Sequence, residues 1–220
     1  MSPESFEAKY IAVEGVIGVG KTTFAQMLAE RIDAELINEE VLENPFLIDF
    51  YKNRKRFAFS CQLYFLISRF QQQQGLMVRD LFAQRIVADY LFAKDSIFAS
   101  VNLSDRELAL YNRIAPVLLS DIPRPDLVIY LQASTPTLLK RVQRRNFSFE
   151  KSIDYDYIEV LNKAYDYYFF NYTETPLLVV KTDQIDFVNN TTHFDDLIEQ
   201  ISKPISGKKY YAPAGDLAGR

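Results

Sequence analysis

Five short apolar runs, at 9–14, 34–38, 85–89, 127–131 and 177–181, are rich in Val, Ile, Leu and Ala, the pattern of buried strands. Between them, apolar positions recur at helical spacing over 21–32, 44–51, 55–73, 105–118, 135–145, 154–172 and 193–201. Strands alternating with longer helical stretches predict an α/β fold, a five-stranded parallel sheet flanked by helices. Two helix starts carry signals of their own. Ser104-Asp105-Arg106-Glu107 fits a capping box, in which hydroxyl and carboxylate satisfy orphan amides reciprocally. Ser134-Thr135-Pro136 places a hydroxyl before an early proline, whose missing N–H costs nothing there. Glycines and prolines (7 and 9) are too few to mark a linker, so 1–202 read as a single domain. From 203 to 220 the period fades into Lys-Pro and Ala-Pro-Ala-Gly, which predicts a flexible tail.

Composition narrows the function classes. At 220 residues, 48% hydrophobic and 25% charged, the chain can bury a full core. A net charge of −4 argues against a nucleic-acid footprint but leaves room for one small anionic ligand held by local cations. The longest apolar runs are strand-sized, so no membrane span is expected, and residues 1–8 contain no apolar signal segment. The one cysteine, Cys61, makes no internal disulfide, and a reducing cytoplasm is the expected compartment. The one histidine, His193, stands beside Thr192 at a helix start, away from any serine or cysteine motif. It reads as a surface residue, which removes Ser-His-Asp and Cys-His hydrolysis and the usual zinc sites.

The chemistry is concentrated in Gly15-Val16-Ile17-Gly18-Val19-Gly20-Lys21-Thr22, with Thr23 following, between a strand and an amphipathic helix. This is the phosphate loop pattern G-x-x-x-x-G-K-[ST] in its proper context. Its glycines let backbone N–H groups wrap a phosphate at the positive end of a helix. Lys21 brings a movable cation to the terminal phosphates of ATP, and Thr22 a hydroxyl for Mg²⁺. No Asn-Lys-x-Asp motif for guanine is present, so a GTPase is disfavoured. In an open parallel sheet the ligand lies beyond the carboxyl ends of the strands. Two predicted strands end in acids there, at Asn38-Glu39-Glu40 and at Ala88-Asp89-Tyr90. Asp89 is placed to hold Mg²⁺ with Thr22, and Glu39, or its neighbour Glu40, to take a proton from an attacking hydroxyl. The plainer reading of these acids is solvated loop residues or helix caps.

With these motifs the chain resembles the deoxynucleoside kinases of the deoxycytidine, deoxyguanosine and deoxyadenosine kinase type, from the phosphate loop to about Val188. The resemblance implies a P-loop kinase fold with an arginine-rich lid, ATP and Mg²⁺, a homodimer, and a general base on the 5′-hydroxyl. That base corresponds to Glu39; the proline that follows it in the family is Glu40 here. By the same resemblance Tyr51 and Glu150, the latter in Glu150-x-x-Ile153, bind the sugar 3′-hydroxyl. Gln62, Arg69 and Asp95 read the base. Gln62 and Arg69 lie two turns apart on one helix face with Phe65 near by, an apolar slot with two polar groups. The bland alternative is a snorkelling Arg69 and a solvated Gln62. The arginine that follows the family's acid is absent: Tyr90 stands there, so a phosphate contact must come from elsewhere or be lost. The Arg69/Asp95 pair implies deoxyadenosine, deoxyguanosine or deoxycytidine, with a lean to a purine.

Lys140, Arg141, Arg144 and Arg145 crowd one helix end, where they match the family's arginine lid, although Phe147 replaces a further arginine. Several cations over a transferring phosphoryl group offset its spreading charge, whereas the structural alternative is a basic helix end facing its dipole. Thr182-Asp183-Gln184-Ile185-Asp186-Phe187 resembles the adenine-holding loop and offers Asp183, Asp186 and Phe187 to ATP. The aromatic run from Tyr165 to Tyr172 reads as core or dimer packing. Two rivals stay open: a nucleoside monophosphate kinase of the thymidylate kinase type, with Lys52, Arg54 and Arg56 serving an acceptor phosphate, and a non-catalytic nucleotide-binding subunit of the same fold.

Overall fold

Parallel strands covered on both faces have no solvent side, and for this reason they appear in the sequence as unbroken apolar runs. In the computed structural model, which describes residues 6–78, 85–119, 122–145, 147, 150, 152–188 and 190–212, these runs form one parallel sheet. Its strands are β1 (Tyr10–Gly15), β2 (Ala34–Ile37), β3 (Arg85–Ala88), β4 (Leu127–Gln132), β5 (Leu177–Lys181) and β6 (Lys208–Tyr211), in the order β2-β3-β1-β4-β5-β6. Every residue of β1 is buried, and Ala12 pairs with Ala88 on one side and Val128 on the other. The helices are α1 (Lys21–Ile32), α2 (Leu47–Lys52), α3 (Arg54–Val78), α4 (Lys94–Asn102), α5 (Asp105–Leu119), α6 (Thr135–Arg145), α7 (Tyr155–Asn171) and α8 (Thr191–Ser202), with a 3₁₀ turn at Val41–Glu43.

The sheet has six strands rather than the five expected. The sixth, Lys208–Tyr211, pairs parallel to β5 within the segment read as a tail; residues 213–220 of that segment lie outside those described. Its sequence, KKYY, has no apolar run because it is a partly exposed edge strand, where lysines guard against further pairing. Lys208 also donates to the carbonyls of Phe169 and Phe170 at the end of α7. Helix α4 was not predicted, since Lys94-Asp95-Ser96 interrupts its apolar pattern; Lys94 and Asp95 prove to be buried.

The capping chemistry differs in detail from expectation. Glu107 accepts from the Ser104 N–H at 2.9 Å, but the Ser104 hydroxyl donates to the same carboxylate rather than receiving an amide. At the start of α6, Asp183 reaches in from a distant loop: it accepts from the Ser134 N–H at 2.9 Å and from the hydroxyls of Ser134 and Thr137. The aromatic run of α7 divides by face. Tyr165 and Phe169 are buried, with Phe169 stacked on Tyr130 at 4.2 Å, while Tyr167 and Phe170 are exposed.

Candidate active site

The phosphate loop leaves β1 at Gly15 and enters α1 at Lys21 by a path that only glycine permits. Gly18 and Gly20 have φ of 87° and 101°, in the left-handed region where side chains are strained. A Cβ on Gly18 would also stand 2.6 Å from Val142 and 2.8 Å from the Leu138 carbonyl, so the loop lies directly against α6, the lid helix. Arg141 of that helix spans the contact, donating to the carbonyls of Val19 (3.0 Å) and Thr182 (2.7 Å) and to the Thr182 hydroxyl.

The carboxyl ends of β2 and β3 bring the two acids to the head of α1. Asp89 accepts from the Thr22 hydroxyl at 2.7 Å through one oxygen and from the Glu39 N–H at 2.7 Å through the other. A hydroxyl and a carboxylate so paired are hard oxygen donors of the kind that hold a small divalent cation together with a ligand's phosphates. The Glu39 side chain is buried and doubly gripped: one oxygen accepts from Arg69, with Nε at 3.0 Å, and the other pairs with Lys94. Burial alone would raise its pKa, but Lys94 and Arg69 outweigh burial and hold it well below the usual carboxylate range. Arg69 also pairs with Asp95, whose second oxygen accepts from Tyr111 at 2.7 Å, and Gln62 donates to the Asp95 carbonyl at 2.8 Å. The Gln62 carbonyl oxygen remains an acceptor.

Two cavities meet at these residues. The first, about 490 Å³, is lined by Glu39, Tyr51, Gln62, Phe65, Arg69 and Glu150 among others, with Phe50, Leu47 and Phe98 giving apolar walls. The second, about 570 Å³, runs along the phosphate loop between α6 and the 182–188 loop, with Lys140, Arg141, Arg144, Asp183, Asp186 and Phe187 on its sides. Lys21, Thr22, Thr23 and Arg145 line both. Burial first, and repulsion from Lys94 second, push the Lys21 ammonium down to about 8.

A family model described as deoxynucleoside kinase matches residues 11–206. The chain belongs to the deoxynucleoside kinase family. It is 37% identical over 203 residues to a deoxyguanosine kinase of Bacillus subtilis, covering 90% of this chain and 98% of that one. It is 38% identical to a deoxyadenosine kinase of Dictyostelium discoideum, over 74% of this chain and 67% of that relative. Among solved structures, deoxyadenosine kinase from M. mycoides with bound dATP superposes with a TM-score of 0.77 at 28% identity, covering 88% of this chain and all (100%) of the other. The same enzyme with bound dCTP gives a TM-score of 0.76 at 29% identity, over 87% and 98%.

The kinase brings most of the sequence-predicted residues together. Tyr51 and Glu150 face the first cavity from α2 and from the turn after α6, and burial, with Tyr157 and Glu150 adding to it, keeps the Tyr51 hydroxyl protonated far above the phenol range. One Glu150 oxygen pairs with Arg145 while the other, buried, has no hydrogen-bond partner among the described residues. Glu40 is exposed and lies off this cavity, so of the two neighbouring acids only Glu39 faces it. Arg69 is buried in ion pairs, with its guanidinium over the Phe65 ring at 4.7 Å, and neither Arg69 nor Gln62 takes the solvated position that the bland alternative required. Three residues make contacts that the sequence did not announce. Arg141, which lines the second cavity, also donates to the carbonyls of Val19 and Thr182, Asp183 accepts from Ser134 and Thr137 at the start of α6, and His193 accepts the Asp186 N–H at 3.1 Å, which ties it to the 182–188 loop. Sequence reading missed Lys94 altogether; its only signal was a lysine standing inside the apolar stretch Leu91-Phe92-Ala93-x-x-x-Ile97-Phe98.

Proposed function

We propose that this kinase transfers the γ-phosphoryl group of ATP to the 5′-hydroxyl of a purine deoxynucleoside. The observation that carries the reading is the meeting of the two cavities at Lys21 and Thr22, with Glu39 on the acceptor side only. ATP lies in the groove of the phosphate loop, its base against the 182–188 loop where Asp186 and Phe187 stand, and the deoxynucleoside fills the first cavity. Tyr51 donates to the sugar 3′-hydroxyl and the free oxygen of Glu150 accepts from it, while Gln62 and Arg69 meet the base edge. Glu39 takes the 5′-hydroxyl proton as the oxygen attacks. Lys21, Arg144 and Arg145 hold the phosphates, and Arg141 positions the lid against the phosphate loop. Thr22 and Asp89 suit Mg²⁺, which when bound supplies charge neutralisation between the β- and γ-phosphates.

A monophosphate acceptor is not favoured. Lys52 pairs with Asp49 at 3.3 Å, Arg54 stacks on Tyr157 and pairs with Asp154, and Arg56 lies over Phe57; none of the three lines the acceptor cavity. The lean to a purine rests on the deoxyguanosine and deoxyadenosine kinases among the relatives. The same reading includes a homodimer, supported by exposed Val160 and Tyr167 two turns apart on α7, and a reducing cytoplasm, supported by the free, buried Cys61. The test is a panel of the four deoxynucleosides and their monophosphates with labelled ATP. Deoxyadenosine or deoxyguanosine is expected as the best acceptor; phosphorylation of a monophosphate in preference to every nucleoside defeats the assignment.

A further inference from the structure

Lys94 is a buried cation to which the roles above give no work. It lies in the first turn of α4, its side chain 7% exposed, with its ammonium on the second oxygen of Glu39 and 5.7 Å from the Phe98 ring. Burying an ammonium is strongly unfavourable, and Arg69 already holds the other oxygen of Glu39, so a second cation is not needed merely to fix that carboxylate. Among the described residues, the cations lining the acceptor cavity are Lys21, Arg69, Lys94 and Arg145. Arg69 is bound to two carboxylates and Arg145 to Glu150, while Lys21 belongs to the ATP side. Tyr90, next to Asp89, is turned away from the cavity: its hydroxyl donates to Gln72 at 2.6 Å and accepts from Gln73 at 3.0 Å. Among the described residues Lys94 is thus the cavity cation paired with Glu39 alone.

That pairing has a consequence during the reaction. When Glu39 accepts the 5′-hydroxyl proton its charge is lost, and Lys94 loses its counter-ion at the moment negative charge spreads over the phosphoryl oxygens. A four-carbon stem lets an ammonium follow the charge in a way a planar guanidinium bound to two acids does not. We propose that Lys94 is a catalytic cation that passes from Glu39 to the phosphoryl group during transfer, supplying the acceptor-side positive charge that the position after Asp89 lacks. The 5′-oxygen forms its bond to the γ-phosphorus, the bond to the β–γ bridging oxygen breaks, ADP leaves with that electron pair, and the proton stays on Glu39. Lys94 forms no bond and acts by charge alone.

The inference rests on the nucleoside kinase reading, and steady-state kinetics of the wild type, Lys94→Met, Lys94→Gln and Lys94→Arg with magnesium–ATP separate the two. Lys94→Met is expected to lower kcat about 10²- to 10³-fold, the range for losing one transition-state donor, with KM for ATP and nucleoside within about threefold. Lys94→Arg, which keeps the charge, should recover a large part of the loss. Lys94→Gln keeps a hydrogen-bond donor for Glu39 without the charge, and it should be as slow as Lys94→Met; it decides the matter if Lys94→Met does not fold. A kcat within about threefold of wild type in either neutral variant overturns the proposal, because a donor that only positions Glu39 would then suffice. A wild type that phosphorylates no deoxynucleoside brings down the proposed function instead, and this inference with it.

Discussion

The first cavity, proposed for the acceptor, and the second, proposed for ATP, share Lys21, Thr22, Thr23 and Arg145, yet they hold their charges in opposite ways. In the acceptor cavity the charges are buried and cross-linked: Lys94, Glu39, Arg69 and Asp95 form one chain of ion pairs, closed by the Tyr111 hydroxyl. In the second cavity Lys140, Arg144 and Arg145 are exposed, and one of its acids, Asp183, accepts from hydroxyls and an amide. Preorganised, water-excluded charge suits a site that must recognise one small polar molecule and direct a proton. Exposed cations on a helix end suit a lid that meets a triphosphate whose own charge organises them. Under the proposed function, this difference couples stability to catalysis in the first cavity and largely separates them in the second.

The sharpest way to break that contrast is Arg69→Met. It leaves Asp95 buried with only Tyr111 and Gln62 beside it, and removal of one partner from a buried pair costs about 3–5 kcal/mol, to be read from urea unfolding midpoints. Loss well below that would mean that the buried network does not hold the cavity together. Next is Glu39→Gln, expected to lower kcat by roughly 10²-fold or more while magnesium–ATP binding, followed by calorimetry, is preserved. Full turnover in this variant would move the proton acceptor elsewhere. The smallest effect belongs to the donor side. Asp183→Ala removes the hydrogen bonds that tie the 182–188 loop to the start of α6 and should lower stability by about 1 kcal/mol, the net size of a hydrogen bond, with kcat affected less than by Glu39→Gln.

The Asp183 contact also has a pH signature. Burial pushes its pKa up, but the hydroxyl and N–H of Ser134 and the Thr137 hydroxyl outweigh burial, so the carboxyl sits below its ordinary value. A depressed native pKa means that the stabilisation is fully present above the unfolded-state value and is lost as pH falls through the native one. The stability gap between wild type and Asp183→Ala should therefore narrow in acid, measured by thermal melts across that range, and a gap independent of pH would contradict a stabilising role for these contacts.

Much of the site was legible without coordinates because its signals are local. Gly15 to Thr22 is a contiguous motif, and the φ values at Gly18 and Gly20 are ones that glycine makes accessible. Glu39 and Asp89 follow from the rule that strand ends face the ligand, and the Thr22–Asp89 contact brings two such ends together. Gln62 and Arg69 follow from helical spacing plus resemblance to the family. What escaped was non-local. Lys94 gives no helical or strand signal, and its burial depends on Glu39 arriving from another strand end. The carboxylate of Asp183 comes from a loop far along the chain from α6, so the Ser134 motif pointed to the right helix start but not to the acid that its hydroxyl meets.

By itself the sequence determined the α/β class, the phosphate loop and the acids at two strand ends, because each depends on residues near one another in the chain. Only the tertiary structure decided that the sheet has a sixth strand, that Arg141 braces the lid against the phosphate loop, and that Glu39 lies between two cations. The reason is physical: an edge strand, a brace and a buried charge are each stabilised by partners that the chain supplies from distant segments. Composition and periodicity carry no record of which distant segments will meet.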